Sequence, residues 1–191
     1  MIPRRPALFV DRDGVLVPDS GVAEGVASLR PWPRAVEALR LARSTGRLVF
    51  VVTNQPVVAR GLASADDVRQ AHARLGQALA LEGASVDAFY FCPHHPNATV
   101  AAYRVDCECR KPRPGMLLEA SRQWNVDLAS SVMVGDRLSD VAAGKRAGCR
   151  AGLVKTGQHD APAIESPDRF DDVTPDFVAD DLLAAVEHFG L

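Results

Sequence analysis

Two carboxylates, Asp11 and Asp13, stand two residues apart directly after the apolar run Ala7–Val10, which predicts a buried strand. Like charges at the end of a buried strand are costly to place together unless a cation joins them. Mg²⁺ suits this role because it is a hard cation that prefers oxygen ligands. Asp11 could then attack phosphorus and form an aspartyl-phosphate, while Asp13 could act as general acid and then as general base. Taken alone, an ordinary polar turn explains the pair equally well.

The tripeptide Thr53-Asn54-Gln55 follows a second apolar run, residues 48–52. A hydroxyl and backbone N–H groups at a strand end can hold phosphate oxygens. We therefore predict that Thr53 contacts the reacting phosphoryl group and that Asn54 and Gln55 bind the substrate. A simple loop would be the preferred interpretation if this tripeptide stood alone.

Two basic residues, Arg110 and Lys111, could supply the positive charge that a phosphorylated substrate needs. Lys111 could neutralise the phosphoryl group and the nucleophile. The planar guanidinium of Arg110 suits a second phosphate or other anion. Arg60 and Arg137 are further candidates for contacts with such a distal anion. For each of these residues the alternative is solvated surface.

Two more carboxylates, Asp136 and Asp140, follow a third apolar run at 132–134. Asp136 is placed to complete the Mg²⁺ site. Asp140 would support this site from behind or cap the helix that follows. Acidic residues are favourable at a helix start in any case, so the structural and functional interpretations are compatible.

Three of the four cysteines lie close together beside histidines, in a segment of about residues 92–110. Three thiols and one imidazole match a Cys₃His structural zinc site, with Cys92, Cys107, Cys109 and either His94 or His95 as ligands. Reduced thiols or a disulfide are the alternatives. Zinc would order this segment and so place Arg110 and Lys111. The fourth cysteine, at position 149, lies in an apolar junction and is predicted to be a small core residue.

The elements that must position these clusters alternate between short apolar strands and amphipathic helices. Strands are predicted at 7–10, 48–52, 88–91, 132–134 and 151–154, and helices at 33–44, about 64–82, 114–124, 139–147 and 180–189. Ser64 and Asp67 have capping-box spacing at the second helix. This alternation predicts an α/β fold with a doubly wound parallel sheet. Ligands bind beyond the carboxyl ends of such strands, which is where the clusters fall.

The bulk composition is that of a soluble globular protein, with 47% hydrophobic and 24% charged residues and a net charge of -2 over 191 residues. We expect one domain spanning residues 1–191. No basic excess indicates nucleic acid, and no apolar run approaches the roughly 20 residues that cross a bilayer. Without a secretory signal, a cytoplasmic location is expected. The sequence gives no signal for an oligomer, so a monomer is the default expectation. Residues 158–191 carry no motif that we can interpret.

The four clusters, in this order and at these strand ends, resemble those of the haloacid dehalogenase superfamily of phosphotransferases over roughly residues 7–157. The resemblance implies a Rossmann-like core. It also implies Mg²⁺ held by the Asp11 carboxylate, the Asp13 backbone carbonyl and the Asp136 carboxylate. In these terms Asp11 is the nucleophile, Asp13 the general acid/base, and Thr53 and Lys111 hold the phosphoryl group.

The cysteine segment, which runs into Cys-Arg-Lys-Pro-Arg-Pro-Gly-Met-Leu, resembles that of the heptose-bisphosphate and histidinol-phosphate phosphatases. This resemblance implies a capless domain, His94 rather than His95 as the zinc ligand, and hydrolysis of the 7-phosphate of D-glycero-D-manno-heptose 1,7-bisphosphate. The phosphorylated sugar would be the binding partner. Histidinol phosphate, or another small phosphorylated metabolite, is the alternative, and Glu24 is its candidate partner for an ammonium group.

Two segments depart from the family pattern. Pro56-Val57-Val58 stands where a small, flexible segment is usual, and Pro56 has no N–H to donate. The segment 18–25 lacks the aromatic residue expected after its first glycine. Both segments are predicted to contact the substrate beyond its reacting phosphate, so they bear on the choice of substrate rather than on the reaction.

Overall fold

A computed structural model describes residues 3–19, 29–157 and 173–191. Within these residues, six strands form one parallel sheet in the order β3-β2-β1-β4-β5-β6. Their bounds are Ala7–Val10 (β1), Leu48–Asn54 (β2), Ala88–Cys92 (β3), Val132–Gly135 (β4), Arg150–Val154 (β5) and Phe177–Ala179 (β6). The chain reverses its winding direction between β1 and β4, which is the position where open α/β sheets bind ligands.

Five α-helices connect and cover the described strands. They are Pro33–Ser44 (α1), Ala65–Leu81 (α2), Gly115–Trp124 (α3), Leu138–Ala147 (α4) and Leu182–Phe189 (α5), and a short 3₁₀ turn spans Ala101–Tyr103. The predicted capping box at α2 is confirmed, since Ser64 Oγ accepts from the Asp67 N–H at 3.1 Å and Asp67 Oδ2 accepts from the Ser64 N–H at 2.8 Å. α4 ends at Gly148, whose φ of 89° is the left-handed conformation that glycine adopts readily.

The core lies on both faces of the sheet, because alternate strand residues point to opposite sides. Leu8 and Val10 pack with α1, α2 and α5, whereas Ala7 and Phe9 pack with α3 and α4. Burial on both faces explains why the central strands read as continuous apolar runs in the sequence. None of the helices in the described part of the chain has the length and apolar character of a bilayer-crossing segment.

The predicted α/β class and parallel sheet are confirmed, and the differences concern boundaries and one short strand. Strand β2 runs through Thr53 and Asn54, which pair in register with Phe91 and Cys92 of β3. These two polar residues therefore end the strand instead of following it. β6 was not predicted, because three residues are too few to display an alternation pattern.

Candidate active site

The Lys111 ammonium lies between two carboxylates at the carboxyl edge of the sheet. Its Nζ is 2.8 Å from Asp11 Oδ1 and 2.6 Å from Asp140 Oδ1, and it donates to the Val52 carbonyl at 2.8 Å. Burial alone favours the neutral amine, but the charges of Asp11 and Asp140 outweigh it and raise the pKa of Lys111. Lys111 is thus a fixed positive charge beside the predicted nucleophile.

Asp136 and Asp140 complete a group of buried carboxylates with Asp11. One oxygen from each of the three lies within 4.8 Å of the other two. Asp140 also accepts from the Arg137 N–H at 3.0 Å, so it caps α4 and holds Lys111 at the same time. Burial raises the pKa of Asp140 above its ordinary value even though Lys111 acts in the opposite direction.

The residues present fit a Mg²⁺ ion. The donors are oxygens, they are buried, and they converge from the ends of β1 and β4. A Cβ atom at Gly14 would lie 2.6 Å from Asp136 Oδ2, and one at Gly157 would lie closer still. The absence of a side chain at these two glycines therefore allows the backbone to approach the Asp136 carboxylate closely. The Asp13 carboxylate is not part of this group, and its oxygens accept from Arg12 and Gln55 instead.

The Asp13 carboxylate is held by three hydrogen bonds. Arg12 donates from Nε to Oδ1 at 2.9 Å and from Nη2 to Oδ2 at 2.8 Å, and Gln55 Nε2 donates to Oδ2 at 2.8 Å. Burial raises the pKa of Asp13, with a further contribution from Asp11, although Arg12 opposes the shift. A carboxyl group with a raised pKa is better able to hold and deliver a proton near neutral pH.

The residues at the end of β2 have different partners. Thr53 is buried, and its Oγ accepts from Gln55 Nε2 at 2.9 Å. Gln55 therefore links Thr53 to Asp13. Asn54, which we predicted to bind substrate, directs its amide to the backbone of Lys111 through two hydrogen bonds of 3.0 Å. The structure thus brings Thr53, Gln55, Asp13 and Lys111 together and uses Asn54 to join two segments.

The three arginines predicted for a distal anion occupy different settings. Arg110 is half-buried and donates to the His94 carbonyl at 3.2 Å, so it is tied to the cysteine segment. Arg137 is 3.4 Å from Asp19 Oδ2, and Arg60 is exposed at a turn. Residues 20–28, which include Glu24 and most of the segment 18–25, lie outside the described residues.

Two of the three side chains in the segment Pro56-Val57-Val58 are buried. Val57 and Val58 are buried and pack against Val68 of α2. Their side chains therefore stabilise the loop that follows β2 and are not available to a substrate. The physical reason is their apolar surface, since burying a valine side chain contributes about 1.5 kcal/mol or more.

The predicted metal ligands Cys92, His94, Cys107 and Cys109 converge on one point. Their sulfurs are 3.0 to 3.5 Å apart, and His94 Nδ1 is 3.4 Å from Cys109 Sγ and 3.7 Å from Cys92 Sγ. Three sulfurs and one nitrogen at Zn–S and Zn–N bond lengths around one tetrahedral ion would be separated by roughly 3.5 to 3.8 Å. The observed group is slightly more compact than this, and its donor types and convergence fit zinc. His95 is placed differently, with Nδ1 accepting from the Asn97 N–H.

The cysteine chemistry supports a metal site over a disulfide. All four cysteines are free thiols. The contact with Cys92 lowers the pKa of the Cys109 thiol, whereas the contact with Cys109 raises the pKa of Cys92 and burial raises the pKa of Cys107. Cys109 is thus the thiol of this group that most readily forms the thiolate that binds metal. Cys149 is buried outside this group, as predicted, and burial raises the pKa of its thiol to about 12.

The sequence analysis missed four residues at the site. Arg12 and His72 form a buried pair, with Arg12 Nη1 3.1 Å from His72 Nε2. Thr156 Oγ donates to the Gly14 carbonyl at 2.6 Å, and Gly157 adjoins Asp136. Two signals were available: His72 interrupts the apolar stripe of α2, and the Thr-Gly pair follows the fifth strand at the same sheet edge as the other clusters.

The comparisons with known proteins agree with this geometry. The model of the HAD-hydrolase-like family matches residues 108–185. A D-glycero-β-D-manno-heptose-1,7-bisphosphate 7-phosphatase of Rhodopseudomonas palustris is 47% identical over 146 residues, which are 76% of this chain and 81% of that protein. The enzyme of the same name from Escherichia coli K12 is 37% identical over 163 residues, 84% and 85% of the two chains.

A solved structure gives the same result. The D,D-heptose 1,7-bisphosphate phosphatase of B. bronchiseptica, crystallised with magnesium and phosphate, is 33% identical with a TM-score of 0.78. The match covers 96% of this chain and 97% of that one. The resemblance predicted from the sequence is therefore confirmed, and the chain belongs to the D-glycero-β-D-manno-heptose-1,7-bisphosphate 7-phosphatase family of haloacid dehalogenase-like hydrolases.

Proposed function

We propose that this protein is a Mg²⁺-dependent phosphatase that removes the 7-phosphate of D-glycero-β-D-manno-heptose 1,7-bisphosphate through an aspartyl-phosphate. The observation that carries this proposal is the position of Lys111 between Asp11 and Asp140, beside Asp136. The substrate class is supported by the name of a relative that is 47% identical to this chain over 146 residues.

In the first half of the reaction, an Asp11 carboxylate oxygen attacks the phosphorus atom of the 7-phosphate. The bond between phosphorus and the sugar oxygen breaks as the bond to Asp11 forms, and Asp13 donates its proton to the leaving oxygen. Lys111, which lies 2.8 Å from Asp11 Oδ1, would bind a phosphoryl oxygen and offset the growing negative charge. The Thr53 hydroxyl would bind a second phosphoryl oxygen.

In the second half, Asp13 acts as general base because it has lost its proton. It removes a proton from a water molecule, whose oxygen attacks the phosphorus of the aspartyl-phosphate. The bond between phosphorus and Asp11 breaks, and inorganic phosphate is released. Asp11 is then again a free carboxylate, and Asp13 again carries a proton. One residue can serve both steps because burial raises the pKa of Asp13, so its carboxyl group holds a proton more readily than an ordinary aspartate does.

Asp11, Asp136 and the Asp13 carbonyl would hold Mg²⁺, which supplies charge neutralisation for the incoming phosphate when bound. The group of Cys92, His94, Cys107 and Cys109 would hold Zn²⁺ in a structural role. Arg110, which this loop carries through its contact with the His94 carbonyl, would bind the distal 1-phosphate. Arg60, Arg137 and Gln55 would contribute further substrate contacts.

The test is phosphate release from two substrates by purified protein with Mg²⁺. Heptose bisphosphate should be hydrolysed much faster than histidinol phosphate, and ³¹P NMR should show loss of the 7-phosphate and retention of the 1-phosphate. Asp11→Asn should abolish turnover. Equal or reversed substrate preference would reject the sugar assignment, and an active Asp11→Asn variant would reject the nucleophile.

The remaining expectations from the sequence stay proposals. They are a single domain, a monomer and a cytoplasmic location. The free thiols of the cysteine segment fit a cytoplasmic location, because reducing compartments preserve such metal sites. Light scattering at micromolar concentration would measure the molar mass in solution, and a dimer mass would contradict the monomer.

A further inference from the structure

A buried chain of hydrogen bonds extends from helix α2 to the predicted general acid/base. His72 Nε2 is 3.1 Å from Arg12 Nη1, and the Nε and Nη2 groups of Arg12 donate to the two oxygens of Asp13 at 2.9 and 2.8 Å. Arg12 is 1% exposed and His72 is 3% exposed. Arg12 and Asp13 follow strand β1, whereas His72 lies on helix α2, 60 residues after Arg12 in the chain.

The chemical roles in this chain follow from the groups themselves. A guanidinium has five N–H donors and no acceptor, so the contact requires His72 Nε2 to be the unprotonated acceptor. The ring is then neutral with its proton on Nδ1. Burial, together with the charge of Arg12, lowers the pKa of His72 to about 3, which keeps the ring neutral and accepting at physiological pH.

The orientation of the His72 ring is fixed by two aromatic side chains of strand β3. Phe89 stacks on the ring with centroids 5.0 Å apart, and Phe91 meets it edge-on at 5.7 Å. Rotation of the imidazole would disrupt both of these ring contacts. His72 therefore presents an acceptor of restricted orientation, which limits the directions in which the guanidinium fork can point.

We propose that His72, acting through Arg12, is a positioning residue that orients the Asp13 carboxylate for proton transfer. This proposal rests on the proposed function, in which Asp13 is the general acid/base. Loss of the acceptor at position 72 would leave an Arg12 N–H buried without its partner, which is unfavourable because a buried donor loses its hydrogen bond to water. The guanidinium would tilt to recover a hydrogen bond and would carry the Asp13 carboxylate out of line with the leaving oxygen.

The experiment compares two leaving groups. A sugar oxygen needs a proton as it departs, whereas the nitrophenolate of p-nitrophenyl phosphate departs without one. The ratio of kcat/KM for heptose bisphosphate to kcat/KM for p-nitrophenyl phosphate reports general-acid help in the phosphoryl-transfer step. His72→Phe should lower kcat/KM for the sugar by about 10- to 100-fold, within the range of general-acid effects, and for the aryl ester by under about 3-fold.

Matched variants separate positioning from stability. His72→Gln keeps an acceptor and should recover most of the sugar activity. Arg12→Lys keeps the charge without the fork and should repeat the selective loss, which also keeps the proposal testable if His72→Phe does not fold. Leu79→Ala, a buried change on the same helix, should lower stability and leave the ratio of the two activities unchanged.

Asp13→Asn distinguishes the two levels of inference. Suppose that Asp13→Asn loses activity selectively on the sugar, while His72→Phe and Arg12→Lys lose activity equally on both substrates. This result overturns the positioning role of His72 and leaves the proposed function intact. An Asp13→Asn variant with no selective loss overturns the general-acid role of Asp13 itself. Selective losses in Asp13→Asn and in the two network variants support the positioning role.

Discussion

The side chain of Asn54 and the backbone of Lys111 are joined by two hydrogen bonds. Asn54 Nδ2 donates to the Lys111 carbonyl and the Lys111 N–H donates to Asn54 Oδ1, each at 3.0 Å. Lys111 belongs to an irregular segment, whereas Asn54 ends a central strand. The amide therefore ties the base of the lysine side chain to the sheet.

Asn54→Asp should impair catalysis by displacing Lys111. A carboxylate retains the acceptor for the Lys111 N–H but places an oxygen against the Lys111 carbonyl, where no hydrogen bond can form. We expect a fall of about 10- to 100-fold in kcat/KM and a loss of about 1 to 3 kcal/mol in the free energy of unfolding. Steady-state kinetics and urea denaturation measure both quantities.

The control is Asn125→Asp, the same substitution at the C-cap of α3. Asn125 has a φ of 53°, a conformation that aspartate also tolerates. It should keep its activity. If the Asn54→Asp variant is as active as the Asn125→Asp variant, the position of Lys111 does not depend on its hydrogen bonds with Asn54.

Gly157→Ala should weaken Mg²⁺ binding. A Cβ atom at position 157 would overlap Asp136 Oδ2 and would lie 2.8 Å from Gly14 Cα, so the carboxylate must move. The Mg²⁺ concentration for half-maximal rate should rise by about 10-fold or more, in line with the 10- to 100-fold losses seen when groups around metal ligands are altered. Gly76→Ala makes only an ordinary contact of 3.4 Å with Phe89 and should leave the Mg²⁺ dependence unchanged.

Cys109→Ser should remove zinc and lower both stability and activity. The segment from Cys92 to Cys109 has little regular structure, so the metal would supply much of its order. We expect about one zinc per chain in the native protein, far less in the variant, and a fall in Tm of about 5 °C or more. Metal analysis and calorimetry make the measurement. Cys149→Ser, outside the cluster, should keep its zinc, and equal zinc contents in the two variants would contradict the assigned ligands.

Stability should fall on acidification because of His72. Its pKa is about 3 in the folded protein and about 6.5 in the unfolded chain, so the unfolded state binds the extra proton first. The stabilisation is therefore complete above pH 6.5 and is lost as the pH falls towards 3. His72→Gln lacks this group. The stability difference between the native protein and the variant should shrink by about 1 kcal/mol between about pH 7 and pH 5.5. A constant difference over that interval would mean that His72 is protonated in the folded state as well.

The sequence was sufficient for five of the six described strands and for the polar residues at their carboxyl ends, because both follow from local patterns. Continuous apolar runs identified β1, β2 and β4, and topology alone brings their polar ends together. The partners of those residues were harder to predict. Asn54 looks the same in sequence whether it binds a substrate or a backbone, and the contact between Thr156 and Gly14 joins residues 142 positions apart.

His72 illustrates the same limit. It occupies a position on the buried face of α2, together with Val68, Leu75 and Leu79. Helical periodicity predicts that such a residue is buried, but periodicity carries no information about which polar group meets it. That information depends on the distance between α2 and the loop after β1, which only the folded chain defines.

The ion-paired network around Lys111 and Arg12 has a charge balance of its own. Asp11, Asp136 and Asp140 contribute three negative charges when ionised, and Lys111 and Arg12 contribute two positive ones, while Asp13 holds the proton that it donates in the first half of the proposed reaction. Binding of Mg²⁺ would change this excess of one negative charge into an excess of one positive charge. A doubly charged phosphate group would then be attracted to the network, whereas a monovalent ion in the same position would leave the network neutral.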